Sequence, residues 1–209
     1  MDKNIEEGYK FLIEGCGISS NLLDMKGNCS DNWERESKNG PTNYLKQYIP
    51  PNGWTGIGLK VAYSYDNGNN DWLEKYKGKG AWYKCYHGVK TIEAIKGICK
   101  EGFRRGPRQA FKNADNHNRL TNNTNPKCGE GVYFSYQIKV AEKYTEPIHY
   151  KGNKYKVVFM CKVNPFKVRI VYPNKNKEYW VVDGDELGNI YGHNRSDQVR
   201  AYRILIKKK

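Results

Sequence analysis

The chain has 209 residues, enough for one good-sized core, and carries 36 Lys and Arg against 22 Asp and Glu, a net charge of +14. That excess favours phosphate-bearing partners (nucleic acid or a dinucleotide) or an acidic protein surface, although a solvated Lys-rich face gives the same count. No apolar run approaches the length of a membrane span, and the six cysteines form no C-x-x-C and no zinc spacing, which argues against a membrane protein and a metal module.

The opening "MDKNIEEGYKFLIEG" has acidic residues where a signal peptide needs basic ones, so an intracellular chain, cytoplasmic or nuclear, is expected. "IEEGYKFLIE" is predicted as a helix with Ile5, Tyr9 and Leu12 on one face. "KGNCSDNWERESKNGPTN" is polar, with Gly and Pro, and is read as a loop or linker. After "YIPPNGW" comes a strand-like "IGLKVAY", then a polar loop whose Asp66, Asn70 and Asp71 lack the spacing of a calcium site and are read as turn chemistry. "AWYKCY" is predicted as a strand that ends on His87-Gly88. "TIEAIKGICKEGF" is predicted as a helix with Thr91 as N-cap and Gly102 at its C-terminal end. A long polar stretch containing Arg104, Arg105 and Arg108 leads to the strand "GVYFS" and two helical turns in "QIKVAEKY". "KYKVVFMCKV" alternates, with Tyr155, Val157, Phe159, Cys161 and Val163 on one face, and "KVRIVY", "EYWVVD" and "VRAYRILI" complete a strand-rich second half. This order predicts an α+β fold with a mainly antiparallel sheet.

Three stretches are chemically unusual. His87-Gly88 stands at a strand end before a helix, where a ring nitrogen and an approachable backbone are both available. Tyr133 and Tyr144, eleven residues apart (144 − 133), lie on a strand and the helix after it and can form a slot for a flat ring. Glu178 stands at the entrance of a strand and shares the parity of Trp180 and Val182, either as a solvated strand end or as an anion held for chemistry. Each of the first two also has a plain reading, as a turn glycine with a surface histidine and as two core aromatics.

Taken together, "YHG", "G.GVYF.......AEKY", "EYWVVD" and "QVRAYRILI" resemble the catalytic domain of the poly(ADP-ribose) polymerase and diphtheria-toxin-like ADP-ribosyltransferases over about residues 81–209. The spacings, 46 residues from His87 to Tyr133 and 45 from Tyr133 to Glu178, fit the order of that family's His-Tyr-Glu triad. The resemblance implies two packed, mainly antiparallel sheets with short flanking helices and an NAD cleft. It implies residues 51–209 as the catalytic domain and 1–50 as an N-terminal extension outside the cleft. It makes His87, Tyr133 and Glu178 the catalytic residues, with His87 on the adenosine-side ribose and Glu178 on the nicotinamide-side ribose. Gly88 would pair with the nicotinamide amide and Tyr144 would stack on its ring. Arg104 and Arg105 are placed near the pyrophosphate. Val89 stands where many members carry Ser or Thr, and Ala141 where a serine is expected.

NAD is then a substrate, and no metal is expected. ADP-ribose would pass, as single units, to a macromolecular acceptor, expected to be a protein, with nucleic acid as the acceptor the charge allows. A monomer is expected. The competing readings are an RNA 2′-phosphotransferase, which also consumes NAD, and an inactive module of the same fold that binds ADP-ribose or a protein.

Overall fold

The computed structural model describes residues 2–29, 46, 48–73, 81–104, 111–117, 127–174, 177–182 and 198–209. Two antiparallel sheets face each other, which makes the chain an α+β protein, as the element order predicts. The larger sheet is built from β1 (Leu23–Cys29), β2 (Thr55–Leu59), β9 (Val199–Lys208), β6 (Asn153–Val163) and β3 (Tyr83–Val89), paired in that order. A short β5 (Ile148–Tyr150) pairs with the start of β6. The smaller sheet is β4 (Val132–Phe134), β8 (Lys177–Val182) and β7 (Val168–Asn174), with β8 in the middle.

β6 is buried on both faces, so apolar residues fill both of its parities. Tyr155, Val157, Phe159, Cys161 and Val163 face the main core between the sheets, while Val158 and Met160 lie under a second cluster with Tyr48, Trp54 and Ile138. The predicted helix is α2 (Ile92–Glu101), capped by the Thr91 hydroxyl, which accepts from the Ala94 N–H at 3.1 Å. Gly102 ends it with φ 79°, a conformation that costs glycine least.

Residues on both sides of position 50 pack in the main core. The N-terminal helix α1 (Lys3–Lys10) and the π-helical turn after it bring Phe11 and Leu12, both fully buried, into the main core. β1 joins the larger sheet through β2, although the sequence reading assigned no strand to Leu23–Cys29. An amphipathic helix this short cannot bury its apolar stripe alone, so it does so against the sheet. Of the expected linker, Lys26–Cys29 belong to β1, and 30–43 lie outside the described residues.

The polar loop at 61–73 is held by one buried cation. Arg200, 3% exposed, sits between the rings of Tyr65 and Trp82 (each 4.3 Å away) and gives two hydrogen bonds to Asp66, at 2.7 and 2.8 Å. Asn70 accepts from the Tyr63 N–H and Asp71 from the Asn69 amide, so the acidic run does serve turn chemistry. The Arg200 hydrogen bonds hold the Asp66 carboxyl below its ordinary value. Because the folded value is the lower one, the carboxylate adds stability above the unfolded value, about 3.9, and this is lost as pH falls through the folded value. Asp66→Asn is therefore expected to melt lower than the wild type at neutral pH. The gap should narrow in acid, read by thermal melts at several pH values; a gap that does not change with pH would show that the carboxylate charge contributes nothing.

Candidate functional site

β3 and β4 touch at one point and then part. Tyr86 donates its N–H to the Ser135 carbonyl at 2.7 Å, and Ser135 returns the bond at 3.0 Å. Backbone groups alternate along a strand, so Gly88, two residues on, aims its N–H and C=O the same way as Tyr86. There β4 has moved away. In its place the His87 ring bridges the strands, with Nδ1 2.9 Å from the Tyr133 carbonyl. A carbonyl only accepts, so Nδ1 carries the proton and Nε2 of the neutral ring is an acceptor. Burial lowers the His87 pKa and so favours the neutral ring at pH 7, while the Tyr133 hydrogen bond works in the opposite direction.

The gap opens into a cavity of about 400 Å³. It is lined by His87, Gly88, Lys90, Arg104, Phe111, Gly131, Tyr133, Phe134, Val140, Ala141, Tyr144 and Tyr179. A second cavity over α2 is walled in part by the same His87, Gly88, Lys90 and Arg104. Arg104 is already paired with Glu101, and Lys90 lies 3.9 Å from Glu146, so both cations sit at the mouth with partners. Arg105 and Arg108 lie outside the described residues.

Close packing shapes the floor. A Cβ on Gly88 would lie 2.2 Å from the Ala141 carbonyl of α3 (Ile138–Glu142). Glycine is thus required there for helix packing as well as for access to the backbone. Gly131 has φ 152°, and a Cβ on it would meet the Val182 carbonyl at 2.4 Å. The ring walls are fixed by hydroxyls: Tyr133 donates to the Gly129 carbonyl at 2.6 Å, and the hydroxyls of Tyr144 and Tyr179 are 2.5 Å apart.

The structure thus brings His87, Gly88, Tyr133, Tyr144 and Arg104 to one cavity and places the Glu178 side chain outside its lining. Glu178 does share the face of Trp180, whose indole N–H it accepts at 2.9 Å. It also accepts from the Tyr172 hydroxyl at 3.0 Å and pairs with Lys46 at 3.0 Å, with 9% of its side chain exposed. Trp180 is opposite Phe134 in the ladder, and Phe134 packs on His87, ring centroids 5.4 Å apart. Glu178 therefore shares a face of the smaller sheet with Phe134, which links it to His87, while Tyr179 on the opposite face lines the cavity. The solvated strand end considered for Glu178 does not describe this nearly buried, fully bonded carboxylate. Val89, 3% exposed, belongs to the main core.

Sequence reasoning missed Tyr179, Phe111 and Lys46. Period-two alternation opposite Glu178 could have found Tyr179; the other two carry no local signal. The six cysteines are free thiols, and burial pushes both Cys16 and Cys99 up to about 12, out of reactive range. Among the described residues no three His, Cys, Asp or Glu side chains gather as a metal site, and no helix is long and apolar enough to cross a membrane. No protein-family model matches the chain, and no curated protein matches it by sequence.

Proposed function

We propose that the chain is an NAD-dependent ADP-ribosyltransferase that cleaves the bond between nicotinamide and ribose and passes ADP-ribose to a macromolecular acceptor, expected to be a protein. The observation that carries this reading is the convergence of His87, Gly88, Tyr133 and Tyr144, distant in sequence, on one cavity. A primary amide finds the Gly88 peptide groups there, and its ring finds the faces of Tyr133 and Tyr144. The His87 Nε2 acceptor suits a ribose hydroxyl. Arg104, and Arg105 by its place in sequence, supply charge for the pyrophosphate.

The chemistry asks little of an acid. Nicotinamide leaves neutral with the electrons of the broken bond, and positive charge grows on the ribose, as in glycoside hydrolysis. The acceptor then forms the new bond to the same carbon and loses a proton. A fixed carboxylate stabilises the developing charge, and Glu178 is the residue assigned to that role. Its Tyr172 and Trp180 bonds and its pair with Lys46 hold it on a rigid strand.

A second reading, an inactive module that binds ADP-ribose, is favoured by one observation: Glu178 stands off the cavity lining with its charge matched by Lys46. Incubation of the chain with biotin-labelled NAD and a cell lysate separates the two. Labelled proteins together with released nicotinamide are expected. NAD binding by calorimetry without nicotinamide release selects the binding module, and absence of NAD binding overturns both.

A further inference from the structure

The two walls of the ring slot are anchored differently. Tyr133 is pinned by the main chain, through the Gly129 carbonyl. Tyr144 lies in the turn just past α3, and its hydroxyl meets another side chain, Tyr179. Tyr179 is itself held on three sides. Its ring stacks on Phe111 (centroids 5.0 Å apart, 26° between planes) and stands edge-on to Tyr133 and to Tyr144, each at 6.1 Å. It is 4% exposed, on the middle strand of the smaller sheet. Burial, with the Tyr144 hydrogen bond, raises its pKa above the ordinary phenol value, so the hydroxyl is protonated at neutral pH.

We propose that Tyr179 is the positioning residue of the slot: its hydroxyl fixes the Tyr144 ring and thereby sets the affinity for a flat heteroaromatic carboxamide of the nicotinamide class. The inference rests on the reading of the cavity as an NAD site and extends it to a residue outside the His-Tyr-Glu set. Without the bond, the Tyr144 ring must be ordered by the ligand itself, and that ordering costs binding free energy. The loss is uniform binding, felt by bound substrate and transition state alike, so it falls on KM.

The test compares wild type, Tyr179→Phe, Tyr144→Phe and the double variant, with free nicotinamide affinity by calorimetry, NAD turnover and melting temperature for each. One lost hydrogen bond is expected to weaken nicotinamide about five- to tenfold in Tyr179→Phe. KM for NAD should rise by a similar factor while kcat changes less than about twofold. Tyr144→Phe should show the same loss, and the double variant no more than either single change, because all three remove one bond. Wild-type nicotinamide affinity in Tyr179→Phe, or losses that multiply in the double variant, overturns the proposal. If Tyr179→Phe fails to fold, Tyr144→Phe decides alone, since it leaves the Tyr179 packing in place; unchanged affinity there overturns the proposal as well. A wild-type chain that binds neither nicotinamide nor NAD refutes the NAD reading itself and takes this role with it.

Discussion

Glu178→Gln is expected to lose ADP-ribose transfer and nicotinamide release by on the order of a hundredfold or more. NAD affinity should stay within about threefold, because an interaction made mainly with developing charge lowers the barrier more than it tightens the ground state. Gln keeps the length of the side chain and one carbonyl oxygen, which can serve Trp180 or Tyr172, but it removes the anion. The ring slot is on the other face of β8 and is not touched. The structure adds a cost that the sequence did not foresee. Breaking the pair with Lys46, whose partners are 22% and 9% exposed, is expected to lower stability by about 1–3 kcal/mol. Turnover must therefore be measured well below the variant's melting temperature. Labelled-NAD transfer and nicotinamide release beside calorimetric NAD affinity make the reading, and equal turnover in the two proteins would end the catalytic assignment of Glu178.

The second large effect is expected at Gly88. Gly88→Ala puts a methyl 2.2 Å from the Ala141 carbonyl and 3.1 Å from the Thr145 methyl. The first obstacle is helix backbone, so α3 must shift as a body. Overpacking of this kind costs about 1–3 kcal/mol. Val140, Ala141 and Tyr144 ride on or just after α3 and all line the cavity, so the slot widens with the shift. A drop in melting temperature together with at least about a tenfold loss of nicotinamide affinity is expected, since positions in the slot couple through the same helix. The two effects should appear together. An unchanged melting temperature with intact nicotinamide binding would show that α3 is not held against β3 as described.

Local pattern accounts for most of the elements. The Thr91 cap, the Gly102 stop and the alternation of β6 were legible because each depends on residues a few positions apart, where side-chain direction follows backbone period. The face of Glu178 was legible for the same reason, and its bond to the Trp180 indole follows from that shared parity. The pairing of β1 was not legible. "LDMKGNC" is only half apolar, and it is a strand because β2 offers an open edge, not because its own residues demand it. Nor could the sequence say where the sheets part. That point is set by the Tyr86–Ser135 bridge and by α3 packing on Gly88, contacts between segments tens of residues apart. So the sequence by itself determined which neighbours share a face and which residues are candidates for the proposed chemistry. Only the tertiary structure decided that Tyr179, rather than Glu178, turns toward the cavity, and that Lys46 meets the carboxylate. Parity fixes two faces of a strand, but which of them meets a cavity depends on what the rest of the chain packs against each.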